Sequence, residues 1–231
     1  MNNLFTRYLL LVLIPANFAV ANDDNVAVLK DTVDGKSLNE YANIWWQWAA
    51  SMPDKQSAVS DRTGKFCDLN QHGPVWFLAG GYGSSKIKRQ CTIPKDKYLF
   101  FPVINMVYYD KSVPDPEKPR PKLSCDQAKA LAALNNDKLN SFVVTIDNQK
   151  IVNPAPYRYS SPECFDLMAL IPKEYKAPTV YPSASDGYWI MVKPLAVGPH
   201  KITFHGEYGR DGGSYGHSIQ DIEYELEIVD R

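Results

Sequence analysis

The sequence predicts a mainly β protein: an antiparallel β-sandwich of the jelly-roll or immunoglobulin-like type, with an N-terminal amphipathic helix and a second short helix. Short apolar runs separated by Gly, Pro, Asn and Asp recur through most of the chain. Two runs near the C-terminus, 200–207 and 222–228, alternate apolar and polar residues as half-buried strands do. The 17 prolines among 231 residues also argue against a helical bundle.

Residues 1–21 have the parts of a secretory signal peptide: Arg7, an apolar run over 8–14, and an A-x-A site ending at Ala21. We expect cleavage after Ala21 and a secreted or periplasmic protein. An uncleaved anchor is the alternative, but the run is shorter than the about 20 residues that a membrane span needs. No later segment is long and apolar enough to span a bilayer. Residues 22–231 are expected to form a single β-sandwich domain.

The first helix is predicted to begin at Ser37, because Ser37 and Glu40 have the spacing of a capping box. Pro53 ends it. Trp46 lies off its apolar face and is a candidate for a binding surface. The residues that recur at helical spacing on that face are Leu38, Tyr41, Ala42, Trp45, Trp48, Ala49 and Met52.

The rest of the chain reads as strands with one interruption. Four prolines in 113–121 predict a surface excursion, with a domain linker as the alternative, and a second capping box at Ser124 and Gln127 opens a short helix. The predicted strands are 75–79, 98–104 with a continuation to 109, 142–146, 150–152, 188–192, 200–207 and 222–228.

The four cysteines predict two disulfides, because an even count in an exported chain is typical of disulfide bonding. Three pairings are possible. Cys67–Cys91 and Cys125–Cys164 are favoured, because each closes one compact region. Zinc binding is the alternative, but no two cysteines have the C-x-x-C spacing that favours zinc.

Charge and motifs exclude several functions. The 25 Lys and Arg nearly balance the 26 Asp and Glu, so an electrostatic nucleic-acid binder is not expected.

His200 and His205 would face opposite sides of one strand and could not chelate a metal together. The acidic residues of 221–227 are expected to be the solvated face of a sheet. Residues 212–216 fit G-x-S-x-G, but a strand follows where the nucleophile elbow needs a helix. No metal or cofactor is expected.

Several segments together resemble a family of small exported bacterial proteins, mostly uncharacterised. They are Trp45-Trp46-Gln47-Trp48, Gln71-His72-Gly73-Pro74-Val75-Trp76-Phe77-Leu78-Ala79-Gly80, Arg89-Gln90-Cys91-Thr92-Ile93-Pro94 and Phe100-Phe101-Pro102-Val103-Ile104-Asn105. The resemblance covers about residues 37–105. It implies a bacterial secreted or periplasmic location and a Cys67–Cys91 pair. It implies no activity or catalytic residue.

Polar residues embedded among these apolar segments are the candidate binding residues. Their structural interpretation is capping or an internal hydrogen-bond network; the functional one is a polar pocket with aromatic walls. Together with two aromatic candidates, the predicted ligand-binding residues are Glu40, Trp46, Gln71, Arg89, Asn105 and Tyr108.

A non-catalytic exported protein that binds an extracytoplasmic glycan or protein is the leading hypothesis, because many aromatic residues occur without a convincing catalytic constellation. One alternative is a secreted hydrolase that pairs Glu40 or Asp110 with His72 or His205. The other is a structural or adhesion protein of the envelope.

Overall fold

The computed structural model describes residues 28–82, 86–110, 122–209 and 217–230. The predicted signal peptide, the proline-rich excursion over 113–121 and the G-x-S-x-G segment lie outside the described residues. No helix of the described residues is long and apolar enough to cross a membrane.

Strands predominate, as the sequence predicts. In chain order the helices and strands are β1 (Val28–Leu29), α1 (Leu38–Ala50), β2 (Val75–Phe77), β3 (Ile87–Pro94), β4 (Tyr98–Tyr109), α2 (Cys125–Ala133), β5 (Leu139–Ile146), β6 (Gln149–Ile151), β7 (Arg158–Ser160), β8 (Ser183–Val192), β9 (Gly198–Gly209) and β10 (His217–Val229).

Two five-stranded sheets form the sandwich. In sheet 1, β4 lies between β2 and β8, and both β1 and β7 pair with the other edge of β8. In sheet 2 the order is β3-β10-β9-β5-β6. The mainly β fold is confirmed, with one refinement: β2 is parallel to β4 and β3 is parallel to β10. These parallel pairs arise because β2, β3 and β4 alternate between the sheets instead of forming hairpins.

The inner faces of the two sheets form the first core. Phe204 of β9 stacks on Phe101 of β4 at 4.8 Å between ring centroids and lies 6.4 Å from Tyr224 of β10. The alternation predicted for β9 and β10 is confirmed, because Ile202, Phe204 and the alternate residues of β10 are buried.

Helix α1 covers the outer face of sheet 1 and makes a second core. Its predicted capping box is present, with Ser37 and Glu40 exchanging hydrogen bonds. Trp45 and Trp48 are buried, and Trp45 packs edge-on against Trp189 of β8 at 5.4 Å. The molecule therefore has three layers: α1, sheet 1 and sheet 2.

Both predicted disulfides, Cys67–Cys91 and Cys125–Cys164, are present, and no cysteine is free. Helix α2 has its predicted capping box at Ser124 and packs on β4 and β8. Cys125 at its start joins α2 to the segment 160–166, which we call the strap.

The strap is fastened to α1 by a stripe of amides that recurs every four residues on the helix. Each side chain donates to a backbone carbonyl of the strap: Asn39 to Ser160 at 2.7 Å, Asn43 to Glu163 at 3.4 Å and Gln47 to Asp166 at 2.9 Å. The solvent side of α1 is therefore partly covered by a segment that the sequence analysis did not connect to it.

Candidate functional site

A cleft of about 480 Å³ opens beside the C-terminal half of α1. We call it the α1–β4 cleft. Trp46 and Ala49 of α1 form one side, and Asn105 and Tyr109 of β4 form another. The loop 80–82 after β2 and residues 167–168, directly after the strap, complete the wall. Of the six predicted binding residues, the cleft brings together Trp46 and Asn105.

Trp46 lies off the buried face of α1, as the sequence predicts. It is half-buried, and its ring meets that of Trp45 perpendicularly at 5.1 Å. Its Nε1 is shielded from solvent and has no hydrogen-bond partner. The buried neighbours Trp45 and Trp48, by contrast, donate to the carbonyls of Leu78 and Leu69 at 3.0 Å each.

Asn105 reaches the cleft because of an irregularity in β4. The register with β8 shifts between Pro102 and Ile104, and this reverses which residues of β4 face α1. Asn105 lies opposite Gly187, where a Cβ atom would come within 2.6 Å of the Asn105 Cβ. The Nδ2 atom of Asn105 is also buried without a partner.

The loop after β2 is shaped by the side-chain amide of Gln220. The Gln220 amide accepts a hydrogen bond from the Gly81 N–H at 2.8 Å and donates one to the Gly81 carbonyl at 2.7 Å. A Cβ at Gly81 would lie 2.5 Å from Ile87 Cδ1, so a larger residue would require the Ile87 side chain or the loop to shift. Tyr82, at the rim, is 66% exposed.

The lining of the cleft is uncharged. Among the described residues that line it, none has a charged side chain, and its polar groups are hydroxyls and amides from Ser57, Asn105, Ser218, Gln220 and the tyrosines. Three methionines, Met52, Met106 and Met168, supply apolar surface. The described lining therefore suits a neutral molecule.

Arg89 lies in the core behind the cleft wall. Its guanidinium donates to the carbonyls of Val59 at 3.2 Å, Asp61 at 2.8 Å and Ala79 at 2.7 Å. Val59 and Gly80, which follows Ala79, line the cleft. Arg89 is 1% exposed, so it does not touch a ligand and instead positions the backbone around the cleft.

Two other predicted residues make local structural contacts outside the cleft. Gln71 exchanges hydrogen bonds of 2.9 Å with the backbone of Phe77, and so joins a loop to β2. Glu40 is exposed and caps α1. Hydrogen bonds from the backbone and hydroxyl of Ser37 lower the pKa of Glu40. Tyr108 is half-buried and does not line the cleft.

Glu40 and His205 of the hydrolase alternative lie on opposite sides of the molecule. His205 projects from the outer face of sheet 2, whereas Glu40 caps the helix that covers sheet 1, so both sheets lie between them. His72 lines a separate cleft of about 240 Å³ with Asp34 and Lys36. Asp110 is exposed after the end of β4. None of these residues lines the α1–β4 cleft.

The acidic ladder of β10 faces outward, as predicted. Glu223 lies 3.2 Å from the ammonium groups of both Lys88 and Lys201, and Glu225 pairs with Lys88. Burial raises the pKa of Glu223, but hydrogen bonds from Lys201 and Lys88 outweigh burial and bring it below its ordinary value. No group of three or more His, Cys, Asp or Glu in the described ranges could hold a metal ion.

A second, wider groove of about 1100 Å³ lies beside β3, β10 and the start of β9. Its lining carries both signs of charge, including Lys65, Asp68, Asp147 and Glu227. It contains none of the six predicted binding residues.

No protein-family model, curated protein or solved structure matches this chain. Any functional inference therefore rests on the geometry and chemistry of the α1–β4 cleft.

Proposed function

We propose that the protein is an exported, non-catalytic binding protein that holds a neutral sugar unit of an extracytoplasmic glycan in the α1–β4 cleft. The observation that carries this proposal is that the described lining residues carry no charge and bring aromatic rings and amides together. The volume of about 480 Å³ is within the range of small-molecule sites.

Aromatic rings and amides suit the two kinds of surface that a sugar presents. The C–H face of a pyranose is apolar and packs on an aromatic ring, and Trp46, Tyr82 and Tyr109 supply such rings. The hydroxyls at the edge of the sugar need hydrogen-bond partners, which amides and tyrosine hydroxyls provide. A strongly charged ligand would find no counter-charge among the described lining residues, so a neutral sugar fits better than an acidic one.

Two unpaired donors support a ligand that brings hydrogen-bond acceptors. Trp46 Nε1 and Asn105 Nδ2 are buried without partners in the same cleft. A buried donor without a partner costs about 1–3 kcal/mol, and a ligand acceptor would remove that cost. The Nε1 atoms of Trp76 and Trp189 are unpaired too, so what distinguishes Trp46 and Asn105 is that both line one cleft. Both atoms are shielded from solvent, so binding includes a rotation of each side chain toward the ligand.

Isothermal titration calorimetry of the chain from residue 22 against neutral and acidic oligosaccharides tests this proposal. We expect binding of a neutral glycan, and at least a tenfold loss of affinity in Trp46→Ala. Tyr175→Ala is the matched control, because Tyr175 is 73% exposed and lies outside the cleft. Binding that Trp46→Ala leaves unchanged would overturn the assignment of the cleft, and release of shortened glycan would favour the hydrolase alternative.

A further inference from the structure

His200 occupies a position where both of its ring nitrogens face hydrogen-bond acceptors. Nδ1 lies 2.8 Å from Asp147 Oδ2, in the turn between β5 and β6, and Nε2 lies 2.9 Å from the carbonyl oxygen of Ala196. A carbonyl oxygen cannot donate. Asp147 also accepts a hydrogen bond from the backbone N–H of Lys201 at 2.9 Å, as a carboxylate does.

A neutral imidazole has one N–H and can satisfy only one of these acceptors. Only the imidazolium ion, with a proton on each nitrogen, makes both hydrogen bonds. We infer that protonated His200 is a latch that holds the loop 193–197 against the end of the sandwich, and that loss of the Nε2 proton releases this loop.

The electrostatic surroundings of His200 favour its charged form. Burial lowers the pKa of His200, but the hydrogen bonds to Asp147 and Ala196 and the charges of Asp147 and Glu227 outweigh it and raise the pKa above its ordinary value. Glu227 belongs to β10, the strand paired with β9. The adjacent cation, Lys201, directs its ammonium to Glu223 at 3.2 Å on the outer face of the sheet.

The proton that leaves is the one on Nε2, because the proton on Nδ1 faces a carboxylate and the other faces an uncharged carbonyl. After its loss, a lone pair of Nε2 faces a lone pair of the Ala196 oxygen, and the contact becomes repulsive. The turn between β5 and β6 stays in place, since the Asp147 N–H donates to the Lys201 carbonyl and the Lys201 N–H donates to the Asp147 carboxylate, and neither bond depends on the ring.

Release of the loop has a structural consequence at the inter-sheet core. Leu195 is partly buried and packs against that core, whereas Val197 in the same loop is 58% exposed. Because folding raises the pKa of His200, the latch stabilises the fold fully below the ordinary histidine pKa of about 6.5. This stabilisation is lost as the pH rises through the pKa of folded His200. A rise in pH through the pKa of folded His200 should therefore free Leu195 from the core.

An NMR titration of the histidine rings and the Leu195 methyl groups, on the chain from residue 22, tests the latch. We expect the His200 ring to titrate above an ordinary histidine, and the nuclear Overhauser contacts between the Leu195 methyl groups and the inter-sheet core to be lost across the same titration. Asp147→Asn should lower the titration midpoint, and His200→Gln should make these contacts independent of pH.

His217→Gln is the matched control, because His217 pairs with Glu207 at the opposite end of β9 and should not affect the loop. A His200 midpoint at or below that of an ordinary histidine would overturn the assignment of an imidazolium ion. A raised midpoint with Leu195 contacts that do not follow the titration would overturn the latch.

Discussion

Nη1 of Arg89 donates a hydrogen bond to the hydroxyl of Tyr224 at 3.1 Å, and the same nitrogen donates to the carbonyl of Ala79 at 2.7 Å. The Tyr224 hydroxyl in turn accepts from the Ala79 N–H at 2.9 Å and lies 3.0 Å from its carbonyl oxygen. A guanidinium of β3 and a phenol of β10 thus hold both backbone groups of Ala79, at the point where the chain leaves β2 for the cleft wall. The charge of Arg89 is solvated by backbone carbonyls, as a buried charge requires.

Replacing Arg89 should be among the most destabilising single changes. Arg89→Met removes the donor of three backbone carbonyls while keeping most of the side-chain volume, and we expect a loss of about 3 kcal/mol or more in the free energy of unfolding. Urea denaturation measures this. Lys88→Met is the control on the same strand, because Lys88 is exposed and makes surface ion pairs worth at most about 1 kcal/mol. Similar losses in the two variants would contradict the role given to Arg89.

Asn105→Leu should separate stability from binding. The substitution removes a buried Nδ2 that has no partner, so the free energy of unfolding should stay the same or rise by about 1 kcal/mol. Glycan affinity should nevertheless fall, because the proposed acceptor group loses its donor. Denaturation and calorimetry on the same preparation check both parts. A clear loss of stability would mean that Asn105 is a structural residue.

Asn43→Leu is expected to lower the free energy of unfolding, in contrast to Asn105→Leu. The Asn43 Oδ1 accepts from Ser161 Oγ at 2.6 Å and from Ser185 Oγ at 3.1 Å, and its amide donates to the strap. Removing it takes away the acceptor shared by the two buried hydroxyls, which are then left with a 3.3 Å contact with each other and the bond from the Ser185 N–H to Ser161 Oγ, and we expect a loss of about 2–3 kcal/mol. Hydrogen exchange should show the loss of protection centred on 160–166. A uniform change across both sheets would contradict a local role.

The ion pairs of Glu223 should stabilise the fold in a pH-dependent way. The pKa of Glu223 is lowered in the folded state, so its stabilisation is present above the ordinary pKa of about 4.3 and is lost as the pH falls through the folded value. Glu223→Gln should cost up to about 1 kcal/mol at pH 7 and nothing at strongly acidic pH. Urea denaturation at both pH values, repeated in high salt, checks this. A cost that persists in acid would point to packing instead of charge.

Local signals in the sequence predicted most of the fold. Both helices begin at capping boxes, and β10 shows strict alternation, so the residues themselves carry this information. Strand β3 was missed because Arg89 occupies an inward position between Ile87 and Cys91 and makes the alternation look broken. The four-residue spacing of Asn39, Asn43 and Gln47 is visible in the sequence. Their hydrogen-bond partners lie about 120 residues away in the chain, so no local pattern predicts the contact.

Of the six predicted binding residues, the α1–β4 cleft brings together Trp46 and Asn105, and the pairing of strands explains why the sequence does not single out this pair. Trp46 could be identified from helical spacing alone. Asn105 faces it because of the register shift in β4, and a shift of one residue depends on how β4 pairs with β8 and not on local composition. Arg89 and Gln71 have the same sequence signature as Asn105, namely polar residues among apolar ones, yet both are bonded to backbone groups.

The cleft wall and the Cys125–Cys164 bond are covalently connected through a few residues of chain. The bond fixes the strap, and the strap continues into Leu167 and Met168, which line the cleft. Under the proposed function, reduction of this bond should therefore loosen one wall of the cleft and lower the affinity for the glycan, although the hydrogen bonds from α1 to the strap remain. The strength of binding would then depend on the redox state of the surroundings as well as on the residues that touch the ligand.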